Sequence, residues 1–258
     1  MGGHFVLGQG MVERPPLVVR GKHMRATWIS QGGFIFECGA FRLVVDPYLS
    51  DDLARLGHVR MSEPAVSYDQ LKPDAVLFTH DHLDHYDPVT VGEILRLYPE
   101  CRFVGPSSAY EHHKKLGRDC SGFEILNAGD DASLGGFCIR AVKSFHSDPM
   151  AVGLIISADG KTVYFSGDTL YDAALHKEIL GASPQGIDAA FVCINGKLGN
   201  MNWCQAACLV REISAARAIP MHYGLFADNT EDPAPFAKML TANGVRVFIP
   251  TEGEPFEV

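Results

Sequence analysis

The sequence predicts a layered α/β fold in which two sheets are sandwiched between helices. Short apolar runs such as Asp74–Thr79 (DAVLFT) and Asp188–Ile194 (DAAFVCI) read as strands buried on both faces. Segments of helical spacing alternate with them. Both halves of the chain run through strands first and then into helices, which two sheets covered by helices on their outer faces accommodate. A third observation places the chemistry. The stretch Leu77–Asp87 (LFTHDHLDHYD) crowds histidines and aspartates directly behind one of those buried runs.

Taken in order, residues 1–25 form an N-terminal arm, because Pro15-Pro16 and early glycines disfavour regular structure. A single domain spans residues 26–258, with no Pro- or Ser-rich linker inside it. Strands are expected at Ala26–Ser30, Gly33–Glu37 and Phe41–Val45, with Cys38-Gly39-Ala40 as a tight hairpin. After the strand at Asp74–Thr79, Val89–Tyr98 has helical spacing and Asp87-Pro88 marks its start. Arg102–Val104 is a short strand, and Ser107–Leu116 a helix with Ser107 as its N-cap. In the second half, strands are expected at Phe123–Leu126, Phe137–Val142, Val152–Ser157 and Thr162–Ser166. A helix near Tyr171–Leu180 and the strand Asp188–Ile194 follow. Then come a helix over Asn202–Ala218 and a strand over Ala218–His222. A helix over Pro235–Asn243, stopped by Gly244, precedes the last strand, Val245–Ile249.

The chain has 258 residues, of which 47% are hydrophobic, enough for a large core. Its formal charge of −9, without a basic stretch, excludes an extended nucleic-acid surface, because phosphate contact needs clustered Lys and Arg. The N-terminus lacks a basic n-region followed by an apolar stretch, and no run approaches bilayer-spanning length. A cytoplasmic protein without a membrane partner is expected. The seven cysteines are scattered and odd in number, which fits reduced thiols better than a disulfide framework. Cys204 and Cys208 are expected to pack in the core rather than bind metal.

In the cluster, His80 and His82 alternate with Asp81, so in an extended segment they point the same way. Asp84 and His85 follow at once and can face a second point nearby. Imidazole and carboxylate are ligands that borderline divalent metals prefer. Four potential ligands within one loop suggest two adjacent metals. More ligand types stand just beyond expected strands: His146 in KSFHSDP, Asp168 in YFSGDT and His222 in IPMHYG. Each alone has an ordinary structural reading, as a satisfied histidine or a helix cap. Their recurrence at the ends of strands is the usual geometry of a site on an α/β scaffold.

THDHLDH resembles the HxHxDH motif of the metallo-β-lactamase superfamily, and His146, SGDT at Asp168 and PMHY at His222 resemble that family's remaining metal motifs in order. The resemblance spans roughly Ala26–Ile249 and implies the four-layer αββα sandwich. It implies that His80, His82 and His146 hold one divalent ion, Asp84, His85 and His222 a second, and that Asp168 bridges them. Zinc and manganese both suit such ligands. Within the superfamily, FVGPSS at 103–108, VYFSGDT at 163–169, INGKLGNMN at 194–202 and AIPMHYG at 218–224 resemble the ascorbate-6-phosphate lactonase-like branch of metal-dependent hydrolases. His112 and His113 are rival histidines on a helix and are read as solvated surface.

Two metal ions about 3.5–4 Å apart share a hydroxide formed near neutral pH. The expected reaction is attack of that hydroxide on a small cyclic ester such as a sugar-phosphate lactone, with Asp84 or Asp168, or a water beside them, supplying the leaving group's proton. Asp46, in LVVDP, is a candidate to accept an N–H from a ligand histidine, with a turn-forming Asp-Pro as the equal alternative. Lys197 and Tyr223, the latter next to His222, are candidates to contact a small-molecule substrate, against the plainer reading of Lys197 as an ordinary surface lysine. Two alternatives remain at this level. One is a phosphodiesterase for a small nucleotide; the other is a metal or ligand sensor without turnover. Association into a homo-oligomer is left open.

Overall fold

A computed structural model describes residues 23–258. The expected arm, residues 1–25, lies outside the described residues apart from its last three, and Arg25 already belongs to a strand. Strands β1 (Arg25–Trp28), β2 (Phe34–Cys38), β3 (Phe41–Val45), β4 (Ala75–Leu77), β5 (Arg102–Gly105) and β6 (Phe123–Ile125) form most of the first sheet. The second sheet comprises β7 (Asp131–Leu134), β8 (Phe137–Lys143), β9 (Val152–Ala158), β10 (Lys161–Phe165), β11 (Ala189–Cys193), β12 (Arg217–Met221) and β13 (Arg246–Val247). The closing strand, β14 (Pro255–Glu257), returns to the first sheet beside β1. The sheet orders are β14-β1-β2-β3-β4-β5-β6 and β13-β12-β11-β10-β9-β8-β7. Each sheet joins antiparallel hairpins to a parallel half, β3 to β6 in one and β10 to β13 in the other.

Among the described residues, six α-helices complete the layers: α1 (Tyr68–Leu71), α2 (Pro88–Leu97), α3 (Ser107–Lys115), α4 (Leu175–Ala182), α5 (Trp203–Glu212) and α6 (Pro233–Ala242). The period-2 pattern of β2 shows how the layers are divided. Phe34 and Phe36 point between the sheets, where each meets Phe191 of β11 at ring-centroid distances of 5.0 and 5.3 Å. Ile35, between them, faces outward with Val44, Val76 and Phe78 onto Val91 and Ile94 of α2 and Ala109 of α3. On the other side, α4, α5 and α6 pack on β8, β11 and β13. This is the αββα sandwich that the sequence predicts.

The differences are local. Strands β7 and β14 and helix α1 go unforeseen. Both strands are short edge strands, and β14 opens on a proline, which an edge and the first position of a strand tolerate. Pro106, not Ser107, caps α3. Helix α4 begins at Leu175, later than expected. Asn202 does cap α5, accepting from Gln205 N at 2.9 Å, but the helix stops at Glu212. Ser214 then takes a left-handed conformation (φ 53) that lets the chain reverse into β12, parallel to β11. No disulfide joins any of the seven cysteines. Cys204 is exposed and Cys208 half-buried, so the expected core packing of this pair does not hold: the sheet side of α5 belongs to Ala206, Ala207, Leu209 and Val210.

Candidate metal centre

The candidate ligands leave the carboxyl ends of strands at one end of the sandwich. Strand β4 runs on into Thr79 and His80, β10 into Gly167-Asp168 and β12 directly into His222, while His146 follows β8. Parallel neighbours present their ends side by side, so these loops meet. Glycine makes the approach possible at two points. A Cβ on Gly167, whose φ is 53, would lie 2.9 Å from Thr79 Cβ. A Cβ on Gly32 would lie 2.8 Å from Cε1 of the His85 ring. The site also holds non-glycine residues in the left-handed region: Gln31 (φ 52), Asp46 (φ 45) and His222 (φ 63). Such conformations cost ~1–3 kcal/mol each and persist where the surroundings enforce them.

The structure brings all seven candidate ligands together, in two groups. In the first, His82 Nδ1 lies 3.1 Å from His80 Nε2 and 3.1 Å from His146 Nε2. In the second, His222 Nε2 lies 3.2 Å from His85 Nε2 and 3.3 Å from Asp84 Oδ2. Asp168 stands between them. Its Oδ1 is 3.1 Å from His222 Nε2 and 3.3 Å from His85 Nε2, and its Oδ2 is 3.8 Å from His146 Nε2.

The ring nitrogens turned away from the centre decide what the inner ones offer. His85 Nδ1 is 2.8 Å from Asp46 Oδ2, and His146 Nδ1 is 3.1 Å from the carbonyl of Gly199. Thr79 Oγ1 gives its proton to Asp46, so it accepts from His80 Nδ1 at 3.0 Å. These contacts place the protons on Nδ1 and turn the Nε2 lone pairs inward, as metal-ligating histidines require. Asp168 Oδ1 is buried and has no hydrogen bond. A buried carboxylate oxygen that faces histidine Nε2 atoms without a hydrogen bond is costly unless a positive charge lies there, either a bound cation or protons on His85 and His222. The donor set, imidazole and carboxylate without thiolate, suits a borderline divalent cation. The residues present therefore fit bound metal.

Charge is divided unevenly across the centre. Burial disfavours protonation of His222, but the charges of Asp168 and Asp84 outweigh it and raise its pKa to about 9. His85 is raised in the same way, against burial, by Asp168, Asp84 and Asp46. Burial opposes ionisation of both Asp84 and Asp168, yet these histidines hold both carboxyls low. In the other group, burial lowers His80 and His146.

Asp46 stands behind His85; it is fully buried and also accepts from Thr79 N at 2.8 Å. Lys197 does not reach the ligands; its ammonium donates to the carbonyl of Asp228 at 3.0 Å on the surface. Tyr223 packs into the core against Trp28, 5.0 Å between ring centroids, rather than beside the ligands. The reading of His112 and His113 as solvated surface is overturned. Helix α3 lies over Tyr86, so His113 is buried with its Nδ1 2.7 Å from the Tyr86 hydroxyl, and His112 stacks on the same ring at 4.5 Å.

Three contacting residues escape sequence reasoning. Gln31 Nε2 donates to Asp84 Oδ2 at 2.9 Å. Asn200 Nδ2 donates to Asp168 Oδ2 at 2.8 Å. Asp148 accepts from Ser108 Oγ at 2.6 Å and from Asp81 N at 3.3 Å, tying down the histidine loop. The only signals were glycines beside polar residues, SQGG and NGKLGN, which mark turns without saying what they approach.

Comparisons with known proteins agree with this geometry. The family model described as a beta-lactamase superfamily domain matches residues 41–223. The UPF0173 metal-dependent hydrolase of Azorhizobium caulinodans is 30% identical over 249 residues, spanning 91% of this chain and 100% of that protein. The UPF0173 metal-dependent hydrolase of Methanopyrus kandleri is 27% identical over 250 residues, with 91% and 100% covered. The solved structure of Igni18, a metallo hydrolase from Ignicoccus hospitalis, shares the fold with a TM-score of 0.74 at 24% identity, covering 91% of this chain and 99% of that one. With the αββα layers, the HxHxDH loop and a family match over most of its length, this chain belongs to the metallo-β-lactamase superfamily.

Proposed function

We propose that this protein is a dinuclear metal-dependent hydrolase that opens a small cyclic ester such as a lactone. The observation that carries the reading is Asp168, which offers Oδ1 to one group of ligands and Oδ2 toward the other. His80, His82 and His146 would hold one zinc or manganese ion, Asp84, His85 and His222 the other, and Asp168 both. The names of the relatives, metal-dependent hydrolases, support the reaction class. Bound metal would supply an acidified water and a Lewis acid for the ester carbonyl.

The chain's own residues do the rest. Asp46 holds His85, Asn200 holds Oδ2 of Asp168, and Gln31 holds Asp84, so these side chains are positioned before substrate arrives. Asp84 and Asp168 are the carboxylates at the reacting centre. Asp84 is the more open of the two, with its side chain 17% exposed against 5%. It is the better placed to take a proton from the attacking water and return it to the leaving alkoxide.

The test counts metal per chain after equilibrium dialysis and follows proton release at constant pH. Lactones and phosphodiesters serve as substrates for the zinc- and manganese-loaded protein. Two ions per chain and lactone turnover lost in His80→Ala are expected. One ion per chain would refute the dinuclear centre. Turnover of phosphodiesters alone would move the substrate class, and metal binding with no turnover would leave a sensor.

A further inference from the structure

A cleft of about 210 Å³ opens beside the candidate centre, with His82 and Asp84 in its wall. It is smaller than the ~300–1,000 Å³ pockets that take drug-sized ligands. The rest of the wall is mainly apolar: Leu53, Leu83, Leu198 and Phe226, with His58 and Asn229. These side chains come from separate segments of the chain. Leu53 and Phe226 form a small buried cluster with Tyr48 and Leu225, and Leu83 packs against it. Leu198 differs, being 66% exposed.

A lone exposed leucine is ordinary. Leu198 is unusual in its setting. Its backbone is left-handed (φ 53), a conformation that disfavours a branched side chain. The loop that carries it is tied to both groups of candidate ligands. The next residue's carbonyl accepts from His146 Nδ1, and Asn200 donates to Asp168. The loop thus holds an uncovered apolar side chain at a fixed position on the rim of the centre.

Charge on the wall points the same way. Among the described residues, no lysine or arginine lines the cleft. The cations of the neighbouring segments are engaged elsewhere. Lys197 donates to the Asp228 carbonyl, and Arg60 donates to the carbonyls of Tyr48, Ser50 and Ser62. Among the described residues, a phosphate in the cleft would face Asp84 with no lysine or arginine beside it, and the His58 ring is already paired with Asp228 at 2.8 Å. The neutral donor on offer is the amide of Asn229. Its Oδ1 accepts from Asn195 at 2.7 Å, which leaves its N–H group for an uncharged acceptor.

We infer that the cleft takes an apolar, uncharged group next to the scissile bond, in place of the phosphate of a sugar-phosphate lactone, and that Leu198 sets this preference. The inference names the substrate class for the hydrolase reading and rests on it for the chemistry. Recognition by the cleft can be measured without turnover.

The experiment uses straight-chain alkyl hydroxamates, from acetohydroxamate to hexanohydroxamate, as metal-directed probes of the zinc-loaded protein. Calorimetry reads Kd along the series. Each added methylene is expected to tighten binding about fourfold, which corresponds to ~0.8 kcal/mol per buried CH₂, until the cleft is full. A hydroxamate of equal length ending in a carboxylate is expected to bind more weakly than its alkyl counterpart. Leu198→Lys should flatten the series and reverse that order, with Leu198→Ala flattening it in part; the side chain is largely exposed, so neither variant disturbs the core.

A flat series, no binding by any probe, or preference of the unsubstituted protein for the carboxylate would overturn the inference. A series unchanged in Leu198→Lys would overturn the role of Leu198. The same protein is assayed on alkyl lactones. A rising binding series without turnover of any of them would sink the hydrolase reading and leave the cleft assignment intact. Turnover with a flat series would do the reverse.

Discussion

Replacing Asp46 by Asn tests how far the candidate centre depends on a side chain that faces away from the inner ligand atoms. Asp46 is fully buried and its two oxygens accept three hydrogen bonds, from Thr79 N (2.8 Å), Thr79 Oγ1 (2.5 Å) and His85 Nδ1 (2.8 Å). Asparagine tolerates the left-handed backbone there, so the fold is expected to survive. It offers only one oxygen. With that oxygen toward Thr79 N, its amide N–H group faces the Thr79 hydroxyl and His85 Nδ1. His85 must then move its proton to Nε2, the atom that lies 3.2 Å from His222 Nε2. Turned the other way, the amide meets the Thr79 N–H, donor to donor. Either way a charge-assisted hydrogen bond worth ~1.5–3 kcal/mol is lost. Loss of a carboxylate behind a ligand histidine weakens metal binding ~10- to 100-fold. Competition with a chromogenic chelator reads this directly. Zinc affinity should fall by that factor in Asp46→Asn, with a native far-UV spectrum. Affinity within twofold of the unsubstituted protein would refute the argument that Asp46 sets the His85 tautomer.

The metal-free protein should lose stability as pH rises. The His222 pKa is raised to about 9, against roughly 6.5 in an unfolded chain. Its stabilisation is therefore complete below about pH 6.5 and disappears as pH rises through 9. Thermal melts across that window should decline for metal-free protein and stay level once metal replaces the proton. Zinc addition at neutral pH should release protons, measurable in buffers of differing ionisation enthalpy; no release would contradict the assignment. On the acid side, the depressed Asp84 and Asp168 stabilise the fold above the ordinary carboxylate range and lose that contribution as pH falls through their lowered values. Asp148→Ala strands the donors of Ser108, Asp81 and Met150, and urea denaturation should show a loss of ~1–3 kcal/mol; unchanged stability would mean that the histidine loop needs no such anchor.

The chemistry of the centre was legible because it is local. His80, His82, Asp84 and His85 sit in one loop, and buried strands announce themselves as apolar runs that end where the ligands begin. The same logic located His146, Asp168 and His222, each a short step beyond a strand. Edge strands β7 and β14 were not legible, because runs of four and three residues are too short for an alternation to stand out. What surrounds the ligands was decided by the tertiary structure alone. Gln31 meets Asp84 across 53 residues of sequence, and Asn200 meets Asp168 across 32. His113 is buried only because α3 packs over Tyr86, and Tyr223 turns to the core although its neighbour His222 turns to the centre. The cleft is of the same kind, since Leu53, Leu83, Leu198 and Phe226 become a wall only when four loops are brought to one end of two sheets. Ligand identity is a property of side-chain chemistry at short spacing, which a sequence displays. Burial, second contacts and the shape of a binding surface arise from packing between distant segments, and packing is settled only when the whole chain has folded.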